Sequence, residues 1–332
     1  MPIADPGAKT SGQVFRKPPT TFRRAVILLA ALLAMLGTME CALRFGLGLG
    51  NPVLIVADPA CMYTLKPDQD IFRFFAHTHV NHLGMRSDEV PSRRTPGTLR
   101  ILFVGDSIAY GTSRVDQRQL FTEILHRELP SIVHRPVEVL NASAGGWAID
   151  NEYSYVRSRG AFQSDLVLLV LNSGDLPQRR STMAEVGSEL WQRRPSTAVE
   201  ELYLRYIKPR LFHTTIAVDA GDVADKSAAS TIRDNLAELD SFKALVASQG
   251  SRLVIVYVPF RMEVPDGSAY WLSLLQAWTA SRHVPLLDLT PAEAPYSAEE
   301  ITLDHGVHLN ARGHLAVARE MEKQWPIAIG RE

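Results

Sequence analysis

Residues 100–111 read RILFVGDSIAYG. Four consecutive apolar residues, Ile101 to Val104, with no polar alternation suit a strand buried on both faces. The Gly-Asp-Ser that follows puts Ser107 in a tight turn before the next element. Four more runs of the same kind occur downstream: VEVL at 137–140, DLVLLVL at 165–171, RLVIVYV at 252–258 and VPLLDL at 284–289. Helical patterns separate or follow them over Gln117 to Leu129, Ile149 to Arg159, Ser230 to Ser248, Ser268 to Arg282 and Asn310 to Gln324. Five alternations of strand and helix predict an α/β fold with a five-stranded parallel sheet covered on both faces. The third crossover, 177–229, is much longer than the others. Ligands in open α/β sheets bind beyond the carboxyl ends of the strands, so this insertion is expected to form a lid, helical around Glu185 to Arg193 and Thr197 to Tyr206.

The chain has 332 residues, 46% of them hydrophobic, and a formal charge of -1. That is enough apolar material for a large core, and it supplies no global field for nucleic acid. Cys41 and Cys61 lack the number and spacing for a disulfide framework or a zinc site. Residues 25–39, AVILLAALLAMLGTM, carry no charge, and the apolar character resumes beyond Glu40. A spanning helix needs about 20 such residues. Glu40 and Arg44, four apart, can pair at its outer end. Arg16, Lys17, Arg23 and Arg24 precede the segment, which by the positive-inside rule leaves the N-terminus cytoplasmic and sends the rest across. The expected organisation is a cytoplasmic tail (1–24), a transmembrane anchor (25–49), with a cleaved signal peptide as the alternative, a linker and lead-in (50–97) and the α/β domain (98–327). The expected location is a bacterial inner membrane, spanned once, with the α/β domain periplasmic. GLGLG at 46–50 follows this membrane helix rather than a strand, so a dinucleotide loop fails its context test. No cofactor or metal is expected.

A serine hydroxyl is a weak nucleophile until a base takes its proton, and an isolated Gly-Asp-Ser reads first as a turn or helix cap. The end of the chain changes this, because LDHGVHLNARGH at 303–314 returns to the same carboxyl edge after the fifth strand. Ser107, His308 and Asp304 then supply a nucleophile, a general base and an orienting carboxylate. His305 competes for the base's role, while His314 falls in the final helix and reads as structural. Donors for an oxyanion are offered by the Ser107 backbone N–H, by Gly145 and Gly146 after the second strand, and by the Asn172 amide after the third.

Together these segments resemble the SGNH hydrolase superfamily, the GDSL-like lipases and esterases, over roughly Leu99 to Ala318. VGDSIAYG is similar to its first motif, VLNASAGGWAIDN to its Asn-to-Gly turn, and GVHLNARGH to its histidine block. PDQDIFRFF, VNHLGMRSDE and an anchor ending in ECALR resemble bacterial membrane-anchored members. The resemblance implies a three-layer α/β/α sandwich, with Ser107 as nucleophile and Gly146 as a donor. Two departures stand out. Gly174 occupies the position of the third-motif asparagine, leaving Asn172 as a substitute from two residues earlier. His305 occupies the usual acid position, with Asp304 one residue further back, so that a one-residue bulge is needed to bring Asp304 to His308. The expected activity is hydrolysis of an acyl ester, O-acetyl foremost, on an envelope or exported polysaccharide or a small ester. An O-acyltransferase using the same serine is an alternative, as is a non-catalytic glycan-binding protein on this scaffold.

Overall fold

The computed structural model describes residues 20–182, 191–212, 226–261, 268–304 and 306–330. Helix α1 (Thr20–Cys41) continues through a wider turn over Ala42–Gly46. Thr20 through Gly46 is long and apolar enough to cross a membrane, and none of its most apolar stretch is buried. Two antiparallel hairpins follow, β1 (Ile55–Asp58) with β2 (Met62–Leu65), and β3 (Gln69–Arg73) with β4 (Ala76–Val80). Then come β5 (Leu99–Gly105), α2 (Ser107–Tyr110), α3 (Phe121–Val133), β6 (Val137–Ser143), α4 (Ile149–Arg159) and β7 (Leu166–Leu171). The long crossover contributes α5 (Ala198–Glu201), a π-helical stretch over Leu202–Ile207 and α6 (Lys208–Phe212), which run on as one helix, and then α7 (Lys226–Ser248). The chain closes with β8 (Arg252–Tyr257), α8 (Ser268–Arg282), β9 (Leu286–Asp288), α9 (Thr290–Glu293), α10 (Ala298–Ile301) and α11 (Ala311–Ile329).

The five-stranded sheet has the order β6-β5-β7-β8-β9, and every neighbouring pair is parallel. This is a doubly wound, flavodoxin-like arrangement that reverses direction at β5. The side-chain period of two divides the core. Leu102 and Val104 of β5 join Val167, Leu169 and Leu171 of β7 in one cluster, with α4, α7, α8 and the hairpins. Ile101 and Phe103 join Leu166, Leu168 and Val170 in the other, with α3 and α11. The expected five strands and two covered faces are therefore present.

The segment read as linker and lead-in, 50–97, forms the two hairpins and enters the core through Tyr63, Ile71 and Val80. Its pattern hides this because polar residues fill inward positions: β3 alternates buried and exposed, but the buried set is Gln69, Ile71 and Arg73. Arg73 ion-pairs with Glu201 at 2.6 Å with both side chains essentially inaccessible. Of the two lid helices expected, the one at Glu185 to Arg193 lies largely outside the described residues, and Trp191 within it forms a bridge to Leu54. The other, at Thr197 to Tyr206, begins on the Thr197 cap and extends to Phe212.

His314 shows how tightly α11 closes the sheet. It is fully buried, stacks on Phe121 at 5.6 Å between centroids, and its Nδ1 accepts the Phe121 N–H at 3.4 Å. Burial, reinforced by the Arg86 charge, pushes the imidazole down to about 3. An unfolded histidine titrates near 6.5, so below that pH the unfolded state takes up a proton that the folded state refuses. Stability contributed by neutral His314 is therefore present above about pH 6.5 and falls by up to about 1.4 kcal/mol per unit as pH drops toward 3. Urea unfolding across this range should show that slope, and His314→Gln, which keeps an acceptor and cannot titrate, should flatten it.

Candidate active site

Parallel pairing puts the carboxyl ends of β5, β6 and β7 at one edge, and the loops leaving them build the site. After β5, Asp106 caps α2 by accepting the Ile108 N–H at 2.8 Å. Gly111 ends α2 at φ +74, a left-handed position where an added Cβ would lie 2.3 Å from Leu120. Ser107 is thus held on one short turn between two fixed caps. Buried Arg86 secures the chain at and beyond the end of α2, donating to the carbonyls of Tyr110, Thr112 and Val115. Asn141 on β6 donates to the Ala109 carbonyl at 2.8 Å.

The C-terminal loop comes to the same edge. His308 Nε2 lies 3.0 Å from Ser107 Oγ, and His308 Nδ1 lies 2.6 Å from Asp304 Oδ2. Asp304 Oδ1 accepts the His308 backbone N–H at 2.8 Å, so the carboxylate grips both ring and main chain. The spacing of four between acid and base is absorbed in the loop: Val307 N–H bonds to the Asp304 carbonyl, and Gly306 adopts φ +89. Burial pushes the Asp304 carboxyl up, but the hydrogen bonds and charge of His308 outweigh it and hold the group below the usual carboxylate range. His305 lies outside the described residues.

Opposite Ser107, the turn after β6 presents Gly145 and Gly146. A Cβ on Gly145 would come within 3.9 Å of Ser107 Cβ, and Gly146 sits at φ +79. The Tyr63 hydroxyl donates to the Gly145 carbonyl at 2.9 Å. In a planar trans peptide, that carbonyl and the Gly146 N–H point in opposite directions, so Tyr63 fixes the direction of the N–H. Gln178 and Ser181 donate to the Gly146 carbonyl and hold the turn's other side. Sequence reading missed Tyr63 altogether, because a tyrosine on a four-residue strand carries no signal of a contact 82 residues away.

Asn172 also has a structural task at this turn. Its Nδ2 donates to Asp106 Oδ2 at 3.0 Å and its Oδ1 accepts the Gly174 N–H at 2.6 Å, so the side chain braces the Ser107 turn and one amide hydrogen is already committed. A side chain at Gly174 would press on Asn172 Oδ1 at 3.1 Å and on the Phe260 ring at 3.3 Å, which explains glycine there. Asp175 accepts the Asn172 backbone N–H at 2.6 Å. Burial pushes Asp106, Asp175 and Glu152 upward, and the like charge of Asp106 adds to this at the other two. Ser107, His308 and Asp304 thus form one hydrogen-bonded chain beside the glycine turn, an arrangement able to activate a hydroxyl and attack an electrophilic carbonyl.

No protein-family model and no curated protein sequence matches the chain. Solved structures do resemble it in fold. TesA covers 70% of this chain and 99% of its own at 13% identity, with a TM-score of 0.46. A lipolytic protein of the G-D-S-L family from Veillonella parvula covers 68% and 97% at 14% identity and 0.42. A catalytic mutant of Axe2, an acetylxylan esterase from Geobacillus stearothermophilus, covers 72% and 98% at 13% identity and 0.42.

Asn172→Ala should destabilise the fold by about 1–3 kcal/mol, because it strips a donor from a buried carboxyl. The denaturant midpoint reports this, and an unchanged midpoint would mean that Asp106 does not depend on Asn172.

Proposed function

We propose that the chain is a membrane-anchored SGNH-type serine ester hydrolase with Ser107 as nucleophile, His308 as general base and Asp304 as the orienting acid. The observation that carries this reading is the unbroken chain from Ser107 Oγ through His308, 3.0 Å and then 2.6 Å, to an ionised Asp304. His308 takes the hydroxyl proton as Oγ attacks the ester carbonyl, and the Asp304 carboxylate stabilises the imidazolium that forms. The oxyanion is met by the backbone N–H groups of Ser107 and Gly146, with the second amide hydrogen of Asn172 as the remaining donor. Collapse of the tetrahedral intermediate expels the alcohol, which leaves with the proton from His308. Water, deprotonated by the same imidazole, then releases the acid and restores Ser107.

The proposed substrate is an acyl ester, O-acetyl foremost, of an envelope or exported polysaccharide. Support comes from the exposed apolar helix at the N-terminus and the basic residues before it, which favour a cytoplasmic tail and a periplasmic body at a bacterial inner membrane. An O-acyltransferase would use the same acyl-enzyme and differ in whether a sugar hydroxyl or water attacks it. A non-catalytic role is disfavoured by the intact Ser107–His308–Asp304 hydrogen bonds.

Hydrolysis of p-nitrophenyl acetate by the purified full-length chain tests the reading. Ser107→Ala should abolish turnover with circular dichroism unchanged; a fully active variant would sink the assignment. Asp304→Asn should lower kcat by about 10⁴-fold, about 5 kcal/mol, whereas a loss under about tenfold would mean that another group orients the imidazole. Tyr63→Phe should lower kcat by about tenfold or more with little change in KM, less than the about 10²–10³-fold that follows outright loss of an oxyanion donor. An unaltered kcat in Tyr63→Phe would remove Tyr63 from the machinery.

A further inference from the structure

The exit of α1 is built into the body of the protein rather than tethered to it. Residues 20–39 are exposed along their whole length, and twenty helical residues span about 30 Å, the thickness of a bilayer's hydrocarbon. At the next residue the contacts begin. Glu40 accepts the N–H groups of Ala198 and Val199 at 2.9 and 3.1 Å, capping α5 from outside, and receives Arg44 at 2.8 Å. Leu47 carbonyl accepts the Phe74 N–H at 2.9 Å from the tip of the β3–β4 hairpin. Gly48 packs so closely on that hairpin that a Cβ would lie 2.4 Å from the Phe72 carbonyl, and the Gly50 N–H bonds to Glu201 at 2.6 Å. Two elements are thereby fixed beside the end of α1: the hairpin tip and the helix running from 198 to 212. Tyr206 of the helix meets Phe74 of the tip edge-on at 6.4 Å.

These elements carry an apolar surface that the fold leaves uncovered. Outside α1, most of the exposed large apolar side chains among the described residues lie at its exit: Phe45 (77% exposed), Phe72, Phe75 (76%), Tyr203, Ile207 and Leu211 (65%). The last three recur every four residues along the helix. Exposed Lys208 and Arg210 stand between and beside them. Rings and aliphatic chains on one face, with long basic side chains whose heads can reach headgroups, are the composition of a segment that lies in the lipid interface.

We propose that the β3–β4 hairpin tip and the 198–212 helix form a seat in the headgroup and upper acyl region of the bilayer, holding the body flat against the membrane in one orientation. This rests on the reading of α1 as a spanning helix. The bilayer is the occupant because the surface is continuous with α1 and starts at the level where α1 stops being exposed all round. A body joined through a flexible linker would need no such surface and no hydrogen bonds to the anchor.

The test places a bimane on single cysteines in the full-length chain, in a Cys41→Ser background. Cys61 is fully buried, and burial pushes its thiol up to about 12, so it stays unlabelled. Variants Leu33→Cys, Phe75→Cys, Ile207→Cys, Leu211→Cys and, on α11, Ile327→Cys are reconstituted as single copies in phosphatidylcholine–phosphatidylglycerol nanodiscs. The discs are made with or without lipid brominated near the top of the acyl chain. The expected result is loss of fluorescence to bromolipid at positions 33, 75, 207 and 211 and none at 327. Quenching at 33 with none at 75, 207 and 211 overturns the seat while leaving the anchor. No quenching at 33 removes the anchor and the seat together. Protection of 75, 207 and 211 from aqueous iodide without bromolipid quenching also overturns it, since protein rather than lipid would then cover the face.

Discussion

Strand β5 is hydrogen-bonded along both edges by parallel partners, β6 on one side and β7 on the other. The site depends on that pairing. Parallel strands point their carboxyl ends the same way, and connections return over the sheet faces rather than across this edge. The turns after Gly105, Ser143 and Leu171 consequently converge, bringing Ser107, the Gly145–Gly146 turn and Asn172 together. The register is fixed by burial on both faces: a slip of one residue would exchange Leu102 and Val104 with Ile101 and Phe103 between two different cores.

A turn carrying a reactive hydroxyl is short of partners of its own, and the surrounding structure supplies them. Arg86 satisfies three carbonyls at and beyond the end of α2, Asn141 a fourth, and Asn172 holds the Asp106 carboxyl that caps the helix. Among the described residues Arg86 forms no ion pair, and its Nε–H goes to the Gln117 amide oxygen at 3.2 Å. Burial pulls its affinity for the proton down, and the nearby Tyr110, Glu123 and Asp116 offset only part of this. The guanidinium serves here as a five-donor fork matched to backbone oxygens. The hairpin that carries Tyr63 and the segment after β4 that carries Arg86 are therefore part of the candidate site's frame as well as a cover for the sheet.

The same hairpins join the site to α1. Arg73 on β3 pairs with Glu201 on α5, and Glu201 also receives the Gly50 N–H. Breaking one partner of such a buried pair leaves an uncompensated charge at a cost of about 3–5 kcal/mol. The end of α1, the β3–β4 hairpin and the insertion helix are thus held together by buried polar contacts.

Much of the fold was legible in the sequence because it follows from local patterns. Continuous apolar runs gave the five strands, the intervening periodicity gave the helices, and the uncharged run before Glu40 gave α1, including the Glu40–Arg44 pair seen at 2.7 Å. Ser107, His308 and Asp304 could be named because turn serines and a terminal histidine block have recognisable spacing. Tertiary structure decided the rest. Whether Asp304 reaches His308 depends on a left-handed Gly306 and on hydrogen bonds within one loop, which spacing of four does not specify. Asn172, an amide suited by type to meet an oxyanion, also commits one amide hydrogen to Asp106, because a buried carboxyl needs a donor, and its place after the third strand does not reveal this. The hairpins escaped notice because Gln69 and Arg73 fill inward positions, Gln69 satisfied by the Leu54 and Lys66 backbone and Arg73 by Glu201, far along the chain. A sequence pattern records which side chains prefer to leave water; the partner that satisfies a buried polar group is set by the packing of distant segments.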